Sequence, residues 1–345
     1  MVWDNLRQAR SIEAVPGGMP APVNMKSGAG DITTEGRALE RMRQLADGGN
    51  LEEAIHVAKQ VITCNNVDTA TQVIIMKQVV DWHGHLGQAD YARRSASKAV
   101  TLARRDLGAC HPLSLLVRHS ELYWMCMSGY DEAAQPQFEP LIKDICRTLG
   151  HTDSLAWAAR TNSAMPYKKR RDYAGAALIY RQLADDMGAE LDPDDPMLLT
   201  IRDNLAEVLA LDEQWDAAIA LYEELVKDVI PVWGQGSEVT LSIRDSLAAC
   251  LFASGDVEKA RQLWSVLAQD CRRFLGERAD MTARQRILQV ALALDEDDYS
   301  AAQHWCTELL ENLPAGFTEE DVQIYMHIQG SCQEAVDTQE GIRQR

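Results

Sequence analysis

The chain of 345 residues carries 52 acidic and 34 basic side chains, a formal charge of −18. That charge repels nucleic-acid phosphates and anionic membrane and draws basic partners in. No run approaches the roughly 18 uncharged apolar residues of a membrane helix, while a hydrophobic content of 46% is ample for a continuous core.

Residues 1–32 stand apart as a flexible or docking segment. Trp3, Leu6 and Ile12 mark a short helix, and Pro16-Gly17-Gly18-Met19-Pro20-Ala21-Pro22 cannot continue one. Met1-Val2-Trp3-Asp4-Asn5-Leu6 lacks the apolar core of a signal peptide, so a cytoplasmic location is expected. Residues 33–312 then read as helices in pairs. Met42 sits on the first helix of the earliest pair, and Leu51-Glu52-Glu53-Ala54 opens its second. Gly48-Gly49, Gly87, Gly129 and Gly255 mark turns inside pairs, where a left-handed cap is wanted, and Gly108, Gly150, Gly234 and Gly276 precede the next pair. Lys168-Lys169-Arg170-Arg171 falls at a turn, and Glu190-Leu191-Asp192-Pro193-Asp194-Asp195-Pro196 is a solvated acidic loop.

The clearest pair follows that loop. Asp195 caps a helix whose first residue is Pro196, where the missing N–H of proline costs nothing. Leu198, Ile201, Leu205, Val208 and Leu209 make one apolar face, and Trp215, Ala218, Ile219, Tyr222 and Leu225 make a second beyond Asp212-Glu213-Gln214. Residues 313–345 form a capping helix and tail: Thr318-Glu319-Glu320-Asp321 starts it, Val322, Ile324, Tyr325, Ile328 and Ala335 give its apolar face, and the polar stretch from Asp337 is expected to fray.

Two amphipathic helices cannot bury both faces alone, and neighbours are present. Ala92, Ala134, Ala176, Ala218, Ala260 and Ala302 recur in five steps of 42, and four residues on the register carries Ala96, Phe138, Tyr180, Tyr222, Trp264 and Cys306. A fixed period in this range is that of a helical solenoid. These small and aromatic positions resemble tetratricopeptide repeats. The 42-residue period, with His111-Pro112 or Asp195-Pro196 opening a copy and Asn204-Leu205-Ala206 within it, resembles the kinesin-light-chain type. The resemblance implies an all-α fold, a right-handed α-solenoid of about seven helix-turn-helix repeats with a C-terminal capping helix. Departures are Glu121 and Ser163 at the Leu205 position and Asp131 at the Trp215 position, where Tyr130 is expected to fill the gap.

Arg118, Arg160, Arg202, Arg244 and Arg286 form a ladder with the same 42-residue step. It reads either as a cationic track for a ligand or as stems packed beside the apolar stripe, each guanidinium bridging to the next repeat. By resemblance the groove is lined by His119 and Tyr123, by Thr161-Asn162, by Asp203-Asn204 with Glu207, and by Asp245-Ser246. Asparagine amides suit the backbone of an extended peptide, and the carboxylates favour lysine or arginine in it. The carboxyl-tail clamp of chaperone-binding relatives uses lysine and asparagine here, which Asp203 and Asp245 contradict.

No phosphate loop, nucleophile elbow or metalloprotease motif occurs. Trp82-His83-Gly84-His85 lacks a further ligand, and none of the eight cysteines forms a Cys-x-x-Cys pair; Cys126, Cys250 and Cys306 lie inside apolar helical patterns. No cofactor, metal or catalysis is expected. The reading is a non-enzymatic scaffold that grips a peptide or protein segment, with no nucleic acid or membrane as partner. The alternative is a regulatory subunit that senses a ligand or peptide and controls a partner enzyme in a signalling or defence system.

Overall fold

The computed structural model describes residues 34–63 and 67–343, and every regular element among them is an α-helix. The docking segment expected at 1–32 lies outside the described residues. The described chain falls into two compact units, 34–190 and 191–343. The first holds α1 (Thr34–Asp47), α2 (Leu51–Thr63), α3 (Thr69–His85), α4 (Ala89–Asp106), α5 (Pro112–Met127), α6 (Asp131–Leu149), α7 (Ser154–Asn162), α8 (Met165–Lys169) and α9 (Tyr173–Glu190). The second holds α10 (Pro196–Leu211), α11 (Trp215–Trp233), α12 (Glu238–Ser254), α13 (Val257–Leu275), α14 (Asp280–Asp295), α15 (Tyr299–Glu311) and α16 (Glu319–Arg343). Within each unit consecutive helices pack on one another, save α7 and α8, which each pack on α6 and α9, and first helices of adjacent pairs also touch: α3 on α5, α5 on α7, and α10 on α12. Each unit is an α-solenoid.

Local chemistry repeats with the register. Asp68 accepts from the Thr71 amide to start α3; His111, Asp153, Asp195 and Ser237 then cap α5, α7, α10 and α12 from one register position. Each satisfies an amide that the helix cannot. Ala279 occupies that position before α14 and offers no side-chain cap. The turn inside each pair also repeats. Gly87, Gly129 and Gly255 have positive φ, and so do Arg171, Glu213 and Asp297 at the same register. The turn geometry is therefore imposed by the helices on either side, because half of these positions carry a Cβ that disfavours it.

The repeating alanines Ala92, Ala134, Ala176, Ala218, Ala260 and Ala302 are fully buried, and Phe138, Tyr180, Tyr222 and Trp264 fill the space four residues on. Three sequence expectations need correction. Tyr130 does not fill the gap left at Asp131: it is 48% exposed, with the Arg93 guanidinium 4.4 Å from its ring centroid. The first helix of the fourth pair is broken into α7 and α8. Pro166 has no N–H for the Asn162 carbonyl, and the Ser163 hydroxyl bonds the Arg160 carbonyl at 2.6 Å. The polar stretch from Asp337 does not fray, since α16 runs on to Arg343.

Candidate functional site

The arginine ladder ties the two helices of one pair together. Arg118 reaches Asp144 at 2.9 Å, Arg202 reaches Asp228 at 2.7 Å and Arg244 reaches Asp270 at 2.7 Å, while Arg160 pairs with Asp186. Arginine and aspartate lie 26 residues apart in every case, so the partner is the second helix of the same pair and not the next repeat. The exceptions follow one logic. At the register of Asp270 the last pair has Asn312, and Arg286 turns instead to Glu277 and Glu308. One repeat before Arg118 the two positions are Met76 and Leu102, an apolar pair lying against the buried cluster of Val73, Val100 and Val117. A buried charge needs a counter-charge: Arg286 keeps one by turning to Glu277 and Glu308, and at Met76 and Leu102 both charges are replaced. The ladder side chains are 2–22% exposed, so the guanidiniums are committed to these pairs.

The sequence reading puts the groove on the face made by successive first helices, and the chemistry of that register differs between the units. In the first unit, Lys77, His119 and Thr161 hold the register that leads it. Lys77 is buried and its ammonium sits 2.6 Å from Asp81, one turn on. Burial nevertheless holds the Asp81 carboxyl above its usual range, against the pull of Lys77. His119 is buried, and the Asn162 amide donates to its Nε2 at 2.9 Å. Burial, with the Lys77 charge nearby, pushes the imidazole down to about 4, so it is neutral at pH 7. Thr161 bonds the Trp157 carbonyl at 2.9 Å, and Tyr123 meets the Trp124 ring edge-on at 5.0 Å. These groups are joined to partners inside the unit.

In the second unit the same register carries Asp203 and Asp245, with Glu207 one turn beyond Asp203. The Tyr222 hydroxyl holds its proton tightly, through burial first and then the charges of Asp203, Cys250 and Glu207, against the effect of a hydrogen bond with Ser246. Asp245 Oδ1 accepts from Trp264 Nε1 at 2.8 Å and from Gln285 Nε2 at 3.2 Å. Two of the donors that reach Asp245 are thus neutral and leave its charge in place. Asn204, between Asp203 and the buried Leu205, is only 8% exposed. Sequence reasoning missed Gln285 and Gln289. Both interrupt registers that carry Ile243 and Leu247 one repeat earlier, and that polar substitution in an apolar stripe was the available signal.

The remaining polar motifs are used internally. Lys169 contacts the Cys126 carbonyl and lies 3.6 Å from Asp131, and Arg170 pairs with Gln135. His83 bonds Gln88 at 2.8 Å and stacks on Tyr91. Cys126, Cys250 and Cys306 are buried, and burial pushes the Cys126 thiol up to about 12 and the Cys306 thiol up to about 11. No helix among the described residues is long and apolar enough to cross a membrane.

No protein-family model matches the chain, and no curated protein matches it. Solved structures do. A Podosopora anserina protein described as a kinesin light chain of nearly identical TPR-like repeats is 18% identical, with a TM-score of 0.52 over 57% of this chain and 94% of that one. A tetratricopeptide repeat protein from Parabacteroides merdae is 12% identical, with a TM-score of 0.56 over 86% of this chain and 98% of that one. A signal-transduction ATPase with a tetratricopeptide repeat sensor from Pyrococcus horikoshii is 13% identical, with a TM-score of 0.59 over 81% of this chain but 42% of that one. With the 42-residue register and the helix pairs already described, these likenesses identify the chain as a solenoid of the tetratricopeptide-repeat fold.

Proposed function

We propose that the protein is a non-enzymatic interaction scaffold that holds a peptide or protein segment bearing basic residues in the groove of its second unit. The observation that carries this reading is the placement of Asp203, Asn204 and Glu207 on α10 beside Asp245 and Ser246 on α12, two first helices in contact. A face kept only for packing would be apolar there, as it is at Ile287 one repeat on. An exposed ion pair contributes about 0.2–1 kcal/mol, whereas micromolar affinity needs about 8 kcal/mol. Binding must therefore combine carboxylates, the Asn204 amide and apolar contacts from several repeats. Partners captured by the full chain from native lysate, and identified, test the reading. Asp203→Ala with Asn204→Ala and Glu207→Ala should abolish that capture while the helical circular dichroism is kept, and unchanged capture overturns the groove assignment.

A second reading, a ligand-sensing subunit that controls a partner enzyme, draws on the break between α7 and α8, which interrupts a first helix where a pair could flex. It predicts compaction in solution scattering when a bound peptide is added.

A further inference from the structure

We infer that the outward face of α4 is a docking surface for an acidic peptide segment of another protein. The face belongs to the first unit and is independent of the groove reading above. Of the 18 residues of α4, Arg93, Arg94, Lys98, Arg104 and Arg105 are cationic and only Asp90 and Asp106 are acidic, in a chain whose formal charge is −18. Ala92, Ala96, Ala99, Val100 and Ala103 are its buried side. Tyr91, Arg94, Lys98, Thr101 and Arg105 are exposed, and their spacing of three and four residues sets them in one stripe along the opposite side. The carboxylates of α4 lie at its two ends, Asp90 at 3.4 Å from Arg93 and Asp106 at 2.6 Å from Arg105. Arg94, Lys98 and Arg104 make no ion pair among the described residues.

The second observation is the register. The positions of Arg94 and Lys98 carry Pro136 and Pro140 one repeat later, Leu178 and Gln182 two repeats later, and Gln262 and Val266 four repeats later. Stacking therefore sets no charge there. On α6 the cations Lys143 and Arg147 are answered on their own helix, by Glu139 at 2.6 Å and Asp144 at 2.8 Å, whereas Arg94 and Lys98 are left unanswered. Charge complementarity names an anionic occupant, and the dimensions favour a peptide. Arg94 and Lys98 stand about 6 Å apart along the helix, and alternate side chains of an extended chain recur on one side about every 6.6 Å. A segment with acidic residues at alternate positions matches that rise, and about five extended residues cover the roughly 17 Å from Arg94 to Arg105. So short a segment stays within about 8 Å of the stripe, inside one screening length, whereas a nucleic-acid strand runs on past it along a chain of net negative charge.

The probe is a blocked pentapeptide (acetyl-Glu-Gly-Glu-Gly-Glu-amide), compared with its glutamine counterpart and with a thymidine pentanucleotide. Each is titrated into the full chain and followed by the backbone amide signals of α4 in NMR. The glutamate peptide should bind about 10-fold more tightly than the glutamine peptide, and several-fold more weakly at about 0.15 M ionic strength than at about 0.01 M. Arg94→Gln with Lys98→Gln and Arg105→Gln should weaken its binding by about 10-fold. Lys227→Gln with Lys259→Gln and Arg273→Gln changes the net charge equally at exposed positions of the second unit, and should leave binding unchanged. All six side chains are exposed, so both variants should keep the helical circular dichroism. Equal loss in the two variants overturns the stripe, as does equal binding of the two peptides. A pentanucleotide that binds as tightly as the glutamate peptide overturns the choice of a peptide. Self-association in sedimentation that the α4 variant abolishes gives the face to a second copy, and overturns the proposal as well.

Discussion

The two units run on one register and turn it to different ends. In the first, the groove position is filled by Lys77, His119 and Thr161, and each finds its partner inside the unit: Asp81, Asn162 and the Trp157 carbonyl. In the second, the same position holds Asp203 and Asp245, and the donors seen at Asp245 are an indole and an amide. Packing of the buried alanines and aromatics is common to both. What a repeat protein of this kind can vary without disturbing the stack is therefore this one register position of each first helix. The first unit fills that position with Lys77, His119 and Thr161, and the second with Asp203, Asp245 and the apolar Ile287.

The comparison can be broken most severely at the ladder, which both units share. Arg244→Met leaves Asp270, whose side chain is 15% exposed, without its counter-charge. This should cost about 3 kcal/mol in urea unfolding. Adding Asp270→Leu rebuilds the pair the first unit already carries as Met76 and Leu102, and should recover all but about 1 kcal/mol. If the single change is as mild as the double one, the ladder does not tie the pairs.

Acid should separate the units next. The His119 imidazole titrates at about 4 in the folded chain, below its ordinary 6.5. Between those values the unfolded chain binds a proton that the folded chain refuses, so stability falls as pH drops through the window and levels off below it. The full loss is roughly 3 kcal/mol. Asp81, with its carboxyl held high by burial, works in the opposite direction at the acid end. The Asn162 amide faces the ring at 2.9 Å. His119→Gln should flatten the slope between pH 6.5 and pH 4 in chemical denaturation, and a slope unchanged by it would place the acid sensitivity elsewhere.

The smallest test concerns the turns. Glu213 adopts φ of +61° at a register where the first unit has Gly129 at +81°. Glu213→Gly should raise the second unit's stability by about 1 kcal/mol, and Gly129→Glu should lower the first unit's by a similar amount. Hydrogen exchange across α10–α11 and α5–α6 would report each locally; no change in either would mean the turn is not strained.

The architecture was legible because the signal repeats: six alanines at one spacing leave little choice of fold, and prolines and capping residues at His111 and Asp195 set where pairs begin. The direction of the ladder was less legible. Register gives the spacing of Arg202 and Asp228 but not which neighbouring helix a long side chain leans toward, and only packing decides that. Tyr130 misled because an aromatic one residue from its slot points to another side of the helix. The break after Asn162 falls at Pro166, which has no N–H to continue the helix, but α6 runs through Pro136 and Pro140 and α11 through Pro231, so proline alone did not mark it in the sequence. The polar cluster around Asp245 drew on Gln285, which lies 40 residues away, and no local pattern links the two.

Each arginine–aspartate tie begins and ends within a single helix pair. A gene that gained or lost one whole copy of the repeat would therefore insert or remove both charges together and strand neither. Chain length in such a protein can change in complete units without a matching repair elsewhere, and what a new copy adds is one more variable position on which selection can write.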